Sequence, residues 1–168
     1  MRSLILGARY LILGAAALML STLPALAADP ANRHFPAGGS LPPGAVGPAG
    51  AGPAFSGAVL AGNTLYISGT TDMDRATGKP PVDPKDGAKL VLDSIKRTVE
   101  AAGYSMDDLV WVQIFCSDLS LYGQFNETYR TYFKGPLPAR AFLGVDHLLG
   151  GAHFEVMGIA VKPAKQPA

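Results

Sequence analysis

The amino-acid sequence predicts an α+β fold in which a mixed β-sheet carries two helices packed on one face. Short apolar runs with strand composition alternate with two stretches whose apolar residues recur at helical spacing. Their order along the chain is ββαβαββ. Helices that follow strands and lead back to strands pack on a shared sheet, which gives a two-layer domain.

The first two strands form a predicted hairpin within residues 55–70, because Gly62-Asn63 separates two short apolar segments. The first helix is predicted within residues 86–103. Its apolar stripe consists of Ala88, Val91, Leu92, Ile95, Val99 and Ala102. Asp86 is the predicted N-cap of this helix, and Gly103 is the residue that ends it.

A third strand is predicted within residues 109–119, and a second helix over 122–133, where Gly135-Pro136 stops it. Two apolar strands within 139–148 and 152–161 complete the sheet. With both helices on one side, the other face of the sheet is bare. An exposed apolar face of this size favours aggregation, so we expect it to meet another copy of the chain.

The N-terminus has the layout of a secretory signal peptide, predicted over residues 1–27. Arg2 and Arg9 supply positive charge, residues 11–20 are apolar, and Ala25-Leu26-Ala27 is a small-x-small cleavage site. We therefore expect an exported protein, periplasmic or secreted, with no stable membrane association after cleavage. The alternative is an uncleaved anchor, because the apolar run that starts at Tyr10 is nearly long enough to span a bilayer.

Pro, Gly and Ala dominate residues 28–54, so a flexible arm is predicted there. The folded domain is predicted over 55–163, followed by a tail over 164–168. Without Arg2 and Arg9 the 14 basic residues become 12, against 13 acidic ones. A protein this close to neutral is not expected to bind nucleic acid or an anionic membrane through charge.

The strongest candidate for chemistry is Arg140, which stands at the beginning of an otherwise apolar strand. A guanidinium in a partly enclosed place can bind a carboxylate through two parallel hydrogen bonds. If the connection between the last two strands has an even number of residues, Glu155 shares a face with Arg140 and could activate water. The alternative is a structural ion pair of Arg140 with Glu155 or Asp146.

Other reactive side chains give weaker signals. His34, His147 and His153 match no metal-ligand spacing, so surface or packing roles are expected and no metal site is predicted. Cys116 is the single cysteine, so no internal disulfide can form. Because it lies in an apolar strand, we expect a buried small hydrophobe rather than a nucleophile.

Taken together, five segments resemble the Rid/YjgF family of enamine and imine deaminases. They are FSGAVLAGNTLYISG, the helix ending VEAAG, LVWVQIFCSDLSLYGQFNETYRTYF, PLPARAFLGV and HFEVMGIAV, within about residues 52–162. The resemblance implies a chorismate-mutase-like fold assembled as a homotrimer, with sites in clefts between neighbouring subunits. It also implies hydrolysis of 2-imino or 2-enamino acids to 2-keto acids and ammonia, with no metal or organic cofactor.

The resemblance also assigns roles to single residues. Arg140 corresponds to the arginine that grips the substrate carboxylate, and Glu155 to the glutamate that assists water. Asn126 matches the asparagine of the family's FN-x-x-Y helix. Ser68 and Gly69 match the S-G step, whose backbone borders the site.

Three expected substrate-binding positions depart from the family pattern. Phe55 replaces a tyrosine, Phe142 a cysteine, and Thr70 a glutamine or similar residue. The carboxylate clamp is retained while its surroundings become larger and more apolar, and the expected ligand is a small carboxylate-bearing imine or keto acid. Phe55 and Phe142 also favour an alternative, a non-catalytic trimeric module that binds a small carboxylate. A third possibility is a chaperone-like surface on the trimer.

Overall fold

The computed structural model describes residues 31–37 and 54–162. The strands are Arg33–Pro36 (β1), Ser56–Ala61 (β2), Thr64–Thr71 (β3), Leu109–Cys116 (β4), Ala139–Gly144 (β5) and Phe154–Val161 (β6). The helices are Pro84–Ala101 (α1) and Tyr122–Arg130 (α2). The predicted signal, most of the predicted arm and the predicted tail lie outside the described residues. Neither α1 nor α2 is both long and apolar enough to cross a bilayer.

The strands form one mixed sheet in the order β1-β2-β3-β6-β4-β5. Neighbouring strands are antiparallel, except that β4 and β5 are parallel. A parallel pair needs a crossover, and α2 provides it. The predicted α+β fold is confirmed, with one strand more at the N-terminus than the predicted order contains.

That additional strand, β1, falls within the segment predicted as a flexible arm. It pairs antiparallel with β2, and Phe35 is buried in the core. The Arg33 guanidinium lies 4.7 Å from the centre of the Phe35 ring, and His34 Nδ1 lies 2.9 Å from Ser56 Oγ. The strand was missed because one buried aromatic residue in four positions shows no apolar period.

Both helices cover the same face of the sheet, as predicted. In β6, residues 154, 156, 158 and 160 are buried, whereas the residues between them are partly exposed. The Phe125 ring of α2 lies 4.8 Å from the Phe154 ring, so the buried face is the one that the helices cover. The opposite face of the sheet is called the open face below.

The helix ends differ slightly from those predicted. Asp83, and not Asp86, is the N-cap of α1, because the Asp83 side chain accepts a hydrogen bond from the backbone N–H of Lys85 at 2.8 Å. Pro84 then takes a first-turn position, which its ring favours. Gly103 ends the helix in a left-handed conformation, with φ 83°, as predicted.

The second helix is also shorter than predicted, since α2 ends at Arg130 and not at residue 133. The backbone N–H groups of Thr131 and Tyr132 donate to the carbonyls three residues earlier, so the last turn tightens. The predicted hairpin between β2 and β3 is present, and Gly62 turns it with φ 59°.

A buried carboxylate joins the end of β3 to the beginning of β6. Asp72 is fully buried, and its Oδ1 accepts hydrogen bonds from the backbone N–H groups of His153 (2.9 Å) and Phe154 (3.2 Å). Its Oδ2 lies 2.8 Å from His153 Nδ1. A Cβ at Gly87 would lie 2.3 Å from this oxygen, so the glycine makes room for the carboxylate.

We expect Asp72→Ala to lower the free energy of unfolding by about 3 kcal/mol, because it leaves two buried N–H groups without an acceptor. Urea unfolding at pH 7, followed by Trp111 fluorescence, measures the loss. The matched control is Asp146→Ala, which removes an Asp–His contact of 2.9 Å whose side chains are 95% and 85% exposed. It should cost less than about 0.5 kcal/mol. Equal losses in the two variants would contradict the assignment.

Candidate functional site

The residues predicted for the site fall into two groups on opposite faces of the sheet. Arg140 pairs in register with Val112 of β4, which in turn pairs with Gly158 of β6. These positions belong to the helix-covered face. Glu155 is an odd number of residues from Gly158, so its side chain belongs to the open face.

The prediction that Arg140 and Glu155 share a face is therefore wrong. It assumed that the last two strands pair with each other, whereas β4 lies between them. The two predicted ion pairs are not found in the described part of the chain either. Glu155 lies on the opposite face, and Asp146 contacts His147.

Arg140 lies against an aromatic cluster formed by α2 and β5. Its guanidinium carbon lies 4.8 Å from the centre of the Tyr129 ring, 5.6 Å from that of Phe142 and 5.7 Å from that of Tyr122. Arg140 Nη2 also donates a long hydrogen bond, 3.5 Å, to the Tyr122 hydroxyl. Cation–π attraction to these rings holds the guanidinium in place without neutralising its charge.

The structure brings Asn126 and Arg140 together. They line one small cavity of about 150 Å³ with Tyr129, Arg130, Leu137 and Pro138. The Phe142 ring packs against Phe125 (5.5 Å) and Tyr122 (5.0 Å), beside Arg140. The Phe142 ring therefore lies beside the guanidinium, and Phe142 is not among the residues that line this cavity.

The second group lines a cleft of about 560 Å³ between the β2–β3 hairpin and α1, which we call the glutamate cleft. The predicted residues in it are Phe55, Ser68, Gly69, Thr70 and Glu155. The β3–β6 register shifts between residues 67 and 70, so the backbone bulges at the S-G step. Bulges of this kind redirect side chains beside sites.

Gly69 is required by the glutamate itself. A Cβ at this position would lie 2.1 Å from Glu155 Oε1, so any larger residue would displace the carboxylate. Ser68 Oγ donates to the Ser56 carbonyl at 2.6 Å and ties the bulge to β2. Phe55, at the mouth of the cleft, is 57% exposed.

Sequence reasoning missed Tyr129 as a site residue. Its side chain is buried, and its hydroxyl has no hydrogen-bond partner among the residues that the structure describes. Burial raises the pKa of Tyr129 to about 12, against the opposing effect of the nearby Arg140 charge. The sequence did contain a signal for Tyr129. It lies three residues after Asn126, and residues at this spacing are neighbours on the surface of a helix.

The remaining candidates have structural positions. Cys116 is buried, and burial raises the pKa of its thiol, so the thiolate needed for nucleophilic attack is disfavoured. His147 is exposed beside Asp146, and His153 contacts Asp72. Within residues 31–37 and 54–162, no group of three or more His, Cys, Asp or Glu side chains is placed to hold a metal ion.

Comparison with known proteins agrees with this architecture. The family model described as "Endoribonuclease L-PSP" matches residues 47–162. The chain belongs to the Rid/YjgF family. The 2-iminobutanoate/2-iminopropanoate deaminase of Rattus norvegicus is 38% identical over 106 residues, which cover 62% of this chain and 77% of the rat protein.

Two solved structures of the Rid/YjgF family show the same fold. RidA from an Antarctic Psychrobacter is 36% identical, with a TM-score of 0.62 over 72% of this chain and 94% of that one. TdcF from Escherichia coli with bound serine is 31% identical, with a TM-score of 0.62 over 73% and 94%. The RidA-like fold implied by the sequence is thus confirmed.

We expect Tyr129→Phe to leave stability at pH 7 unchanged or slightly higher, because the hydroxyl it removes is buried and unpartnered. The pKa of Tyr129 is raised on folding from 10.0 to about 12. Below pH 10 the phenol is protonated in both states, and the folded chain loses stability as the pH rises from 10 through 12, because the unfolded chain ionises first. Urea unfolding between pH 7 and 12 should show a shallower alkaline loss in the variant.

The matched control is Tyr132→Phe. Its hydroxyl donates to Asp93 Oδ1 at 2.7 Å, so its removal should cost about 1 kcal/mol at pH 7. A larger loss for Tyr129→Phe than for Tyr132→Phe would refute the description of the Tyr129 hydroxyl.

Proposed function

We propose that the protein hydrolyses 2-imino or 2-enamino acids to 2-keto acids and ammonia, in a site formed between two copies of the chain. The observation that carries this proposal is the separation of Arg140 from Glu155 on opposite faces of one sheet. A single copy cannot present both groups to one small substrate. The reaction is supported by the relatives named 2-iminobutanoate/2-iminopropanoate deaminase.

The open face offers a surface for the second copy. Val59, Tyr66, Ile159 and Trp111 lie in one register row across β2, β3, β6 and β4. Tyr66 is 51% exposed and Trp111 37% exposed. Exposed aromatic rows favour association, because packing against another copy removes them from water.

We propose a homotrimer, in which this face packs around a shared axis. Arg140 lies on β5, the outermost strand at one edge of the sheet. The glutamate cleft lies towards the other edge, beside β2 and β3. The copies would meet edge to edge. The ring closes when the β5 edge of each copy, which carries Arg140, faces the glutamate cleft of the next copy.

The chemistry needs a carboxylate clamp and one acid–base group. Arg140 of one copy would bind the substrate carboxylate through its planar fork, with the Asn126 amide beside it. Glu155 of the next copy would accept a proton from water as the oxygen attacks the C=N carbon. The proton passes to nitrogen, the resulting carbinolamine releases ammonia, and the carbonyl of the keto acid forms.

These groups are sufficient because the reaction is not difficult. Imines already hydrolyse in water, so orientation of the substrate and positioning of one water account for the required acceleration. Gly69, at the backbone bulge, leaves room for the Glu155 carboxylate.

We further propose that the protein acts outside the cytoplasm, on the strength of the signal layout of residues 1–27. A mass measurement on protein recovered from a cell envelope fraction decides between cleavage after Ala27 and an uncleaved anchor.

We expect Arg140→Ala to lower kcat/KM for 2-iminopropanoate by roughly 100-fold, because the substrate carboxylate loses its charged partner. Arg140→Lys keeps the charge but loses the planar fork, so its loss should be smaller. The imine is generated in situ from alanine by an amino-acid oxidase and trapped with semicarbazide. Saturable binding of a 2-keto acid without faster imine decay would instead support the non-catalytic binding module.

Mixed oligomers test the shared site. Arg140→Ala and Glu155→Gln should each be nearly inactive, but subunits mixed one to one by refolding should regain about one quarter of the wild-type activity. In such mixtures some sites receive an intact arginine from one variant and an intact glutamate from the other. If mixing restores nothing although mixed oligomers form, the site does not combine these two residues from different copies.

A further inference from the structure

The glutamate cleft carries apolar side chains at its mouth that the proposed reaction does not use. Phe55 is 57% exposed and Leu149 is 84% exposed, and both line the cleft together with Met73. Large apolar side chains that converge on one opening, and that stand this far in water, provide a surface for an apolar group of a ligand.

The loop that carries Leu149 is packed against the cleft by Met73. A Cβ at Gly150 would lie 2.6 Å from Met73 Cε and 3.0 Å from Met73 Sδ, so the methionine side chain lies on the bare backbone of this loop. Gly150 also has a φ of 67°, which disfavours a larger residue there. Met73 and Leu149 are therefore neighbouring parts of one wall, which we call the apolar wall.

The proposed assembly leaves the apolar wall available to a substrate. The second copy is proposed to cover a register row of the open face, and neither Phe55 nor Leu149 lies in a strand or in that row. The cleft extends from Glu155 to residues of α1. A substrate whose carboxylate is bound by Arg140 of the next copy could therefore extend its side chain along the cleft.

The arginines that line the cleft already interact within the chain. Arg97 Nη2 donates to the Ser94 hydroxyl at 2.7 Å, and the charge of Arg97 also acts on the Asp93 carboxylate. Arg75 likewise interacts with another part of the chain. Neither guanidinium therefore calls for an anionic group on the side chain of the substrate.

The cleft is also large for a three-carbon imine. Its volume of about 560 Å³ falls in the range of sites that enclose ligands several times that size. The substrate 2-iminopropanoate has only a methyl group to place against the apolar wall. A side chain of four or more carbons would remove more apolar surface from water, both its own and that of the wall.

We propose that the preferred substrates are imines of amino acids with large apolar side chains, and that Phe55 and Leu149 select them. Arg140 of the neighbouring copy binds the carboxylate, Glu155 activates water, and the side chain packs between Phe55 and the apolar wall. Phe55 stands where the family pattern has a tyrosine, so its ring has no hydroxyl to desolvate. This inference rests on the proposed function, since the same groups perform the reaction on every imine.

The first measurement compares the imines of leucine and alanine, generated in situ by an amino-acid oxidase. We expect the wild-type kcat/KM to be at least about 10-fold higher for 2-imino-4-methylpentanoate than for 2-iminopropanoate, because each buried methylene favours binding about four-fold. Leu149→Ala and Phe55→Ala should each reduce this ratio about four-fold. Phe55→Tyr keeps the ring and should reduce it less than Phe55→Ala.

Val82→Ala is the matched control for Leu149→Ala, because it truncates another aliphatic side chain that is exposed, at 100%, and is not among the residues that line the described cleft. It should change the ratio less than about two-fold. A second pair separates polarity from size, since 2-iminopentanoate and 2-iminoglutarate have chains of equal length. The wild-type protein should prefer 2-iminopentanoate.

Three outcomes would overturn the inference: a leucine-to-alanine ratio of one or below, a preference for 2-iminoglutarate, or equal losses for both imines in Leu149→Ala. Acceleration of imine decay that depends on Arg140 would then leave the proposed deaminase function intact. Light scattering compares the mass of each variant with that of the wild type. A lower mass for Leu149→Ala would also overturn the inference, because Leu149 would then belong to a contact between copies.

Equilibrium binding keeps the two proposals separate if no imine is turned over. Titration calorimetry compares the corresponding keto acids, 4-methyl-2-oxopentanoate and 2-oxopropanoate. Tighter binding of 4-methyl-2-oxopentanoate that is weakened in Leu149→Ala would support the apolar wall as a binding surface, although the deaminase proposal had failed. Equal affinities for the two keto acids would contradict it.

Discussion

The position of β6 between β3 and β4 is the constraint on which the rest of the structure depends. It places β5 at the edge of the sheet and separates the last two strands of the chain by one neighbour. Side chains alternate strictly between faces, so this register sends Arg140 to the helix-covered face and Glu155 to the open face. A sheet in which β5 and β6 paired directly could have supplied both groups from one copy.

The two halves of the proposed site are built by different physical means. Arg140 is held by aromatic rings, which attract the cation but leave its charge available to an anion. Glu155 instead depends on space, since Gly69 leaves room for its carboxylate beside the bulge in β3. The Asp72 carboxylate links the end of β3 to the beginning of β6. The backbone N–H groups that it binds, those of His153 and Phe154, immediately precede Glu155 in the chain.

Most of the fold could be predicted from the sequence, because α1, α2 and the hairpin at Gly62 are local patterns with clear periods and stop signals. The site was predicted less completely. The resemblance identified residues of both half-sites, but the shared face of Arg140 and Glu155 was inferred from sequence adjacency of two strands that do not pair. Strand order is set by contacts between distant segments, which periodicity does not report.

Buried polar contacts could not be predicted from the sequence for the same reason, because they join segments that are far apart in the chain. Asp72 and His153 are 81 positions apart, and no local sequence pattern relates them.

In the proposed trimer, association of copies and formation of the site are consequences of the same surface arrangement. The apolar row through Tyr66 and Trp111 lies on the open face that also carries Glu155. Covering that row therefore removes water from the surroundings of the glutamate as well. Charge interactions strengthen as water is excluded, so the attraction between a substrate carboxylate and an incoming Arg140 would be greatest in the assembled protein. A chain that kept its arginine and glutamate on one face would gain no such coupling between assembly and chemistry.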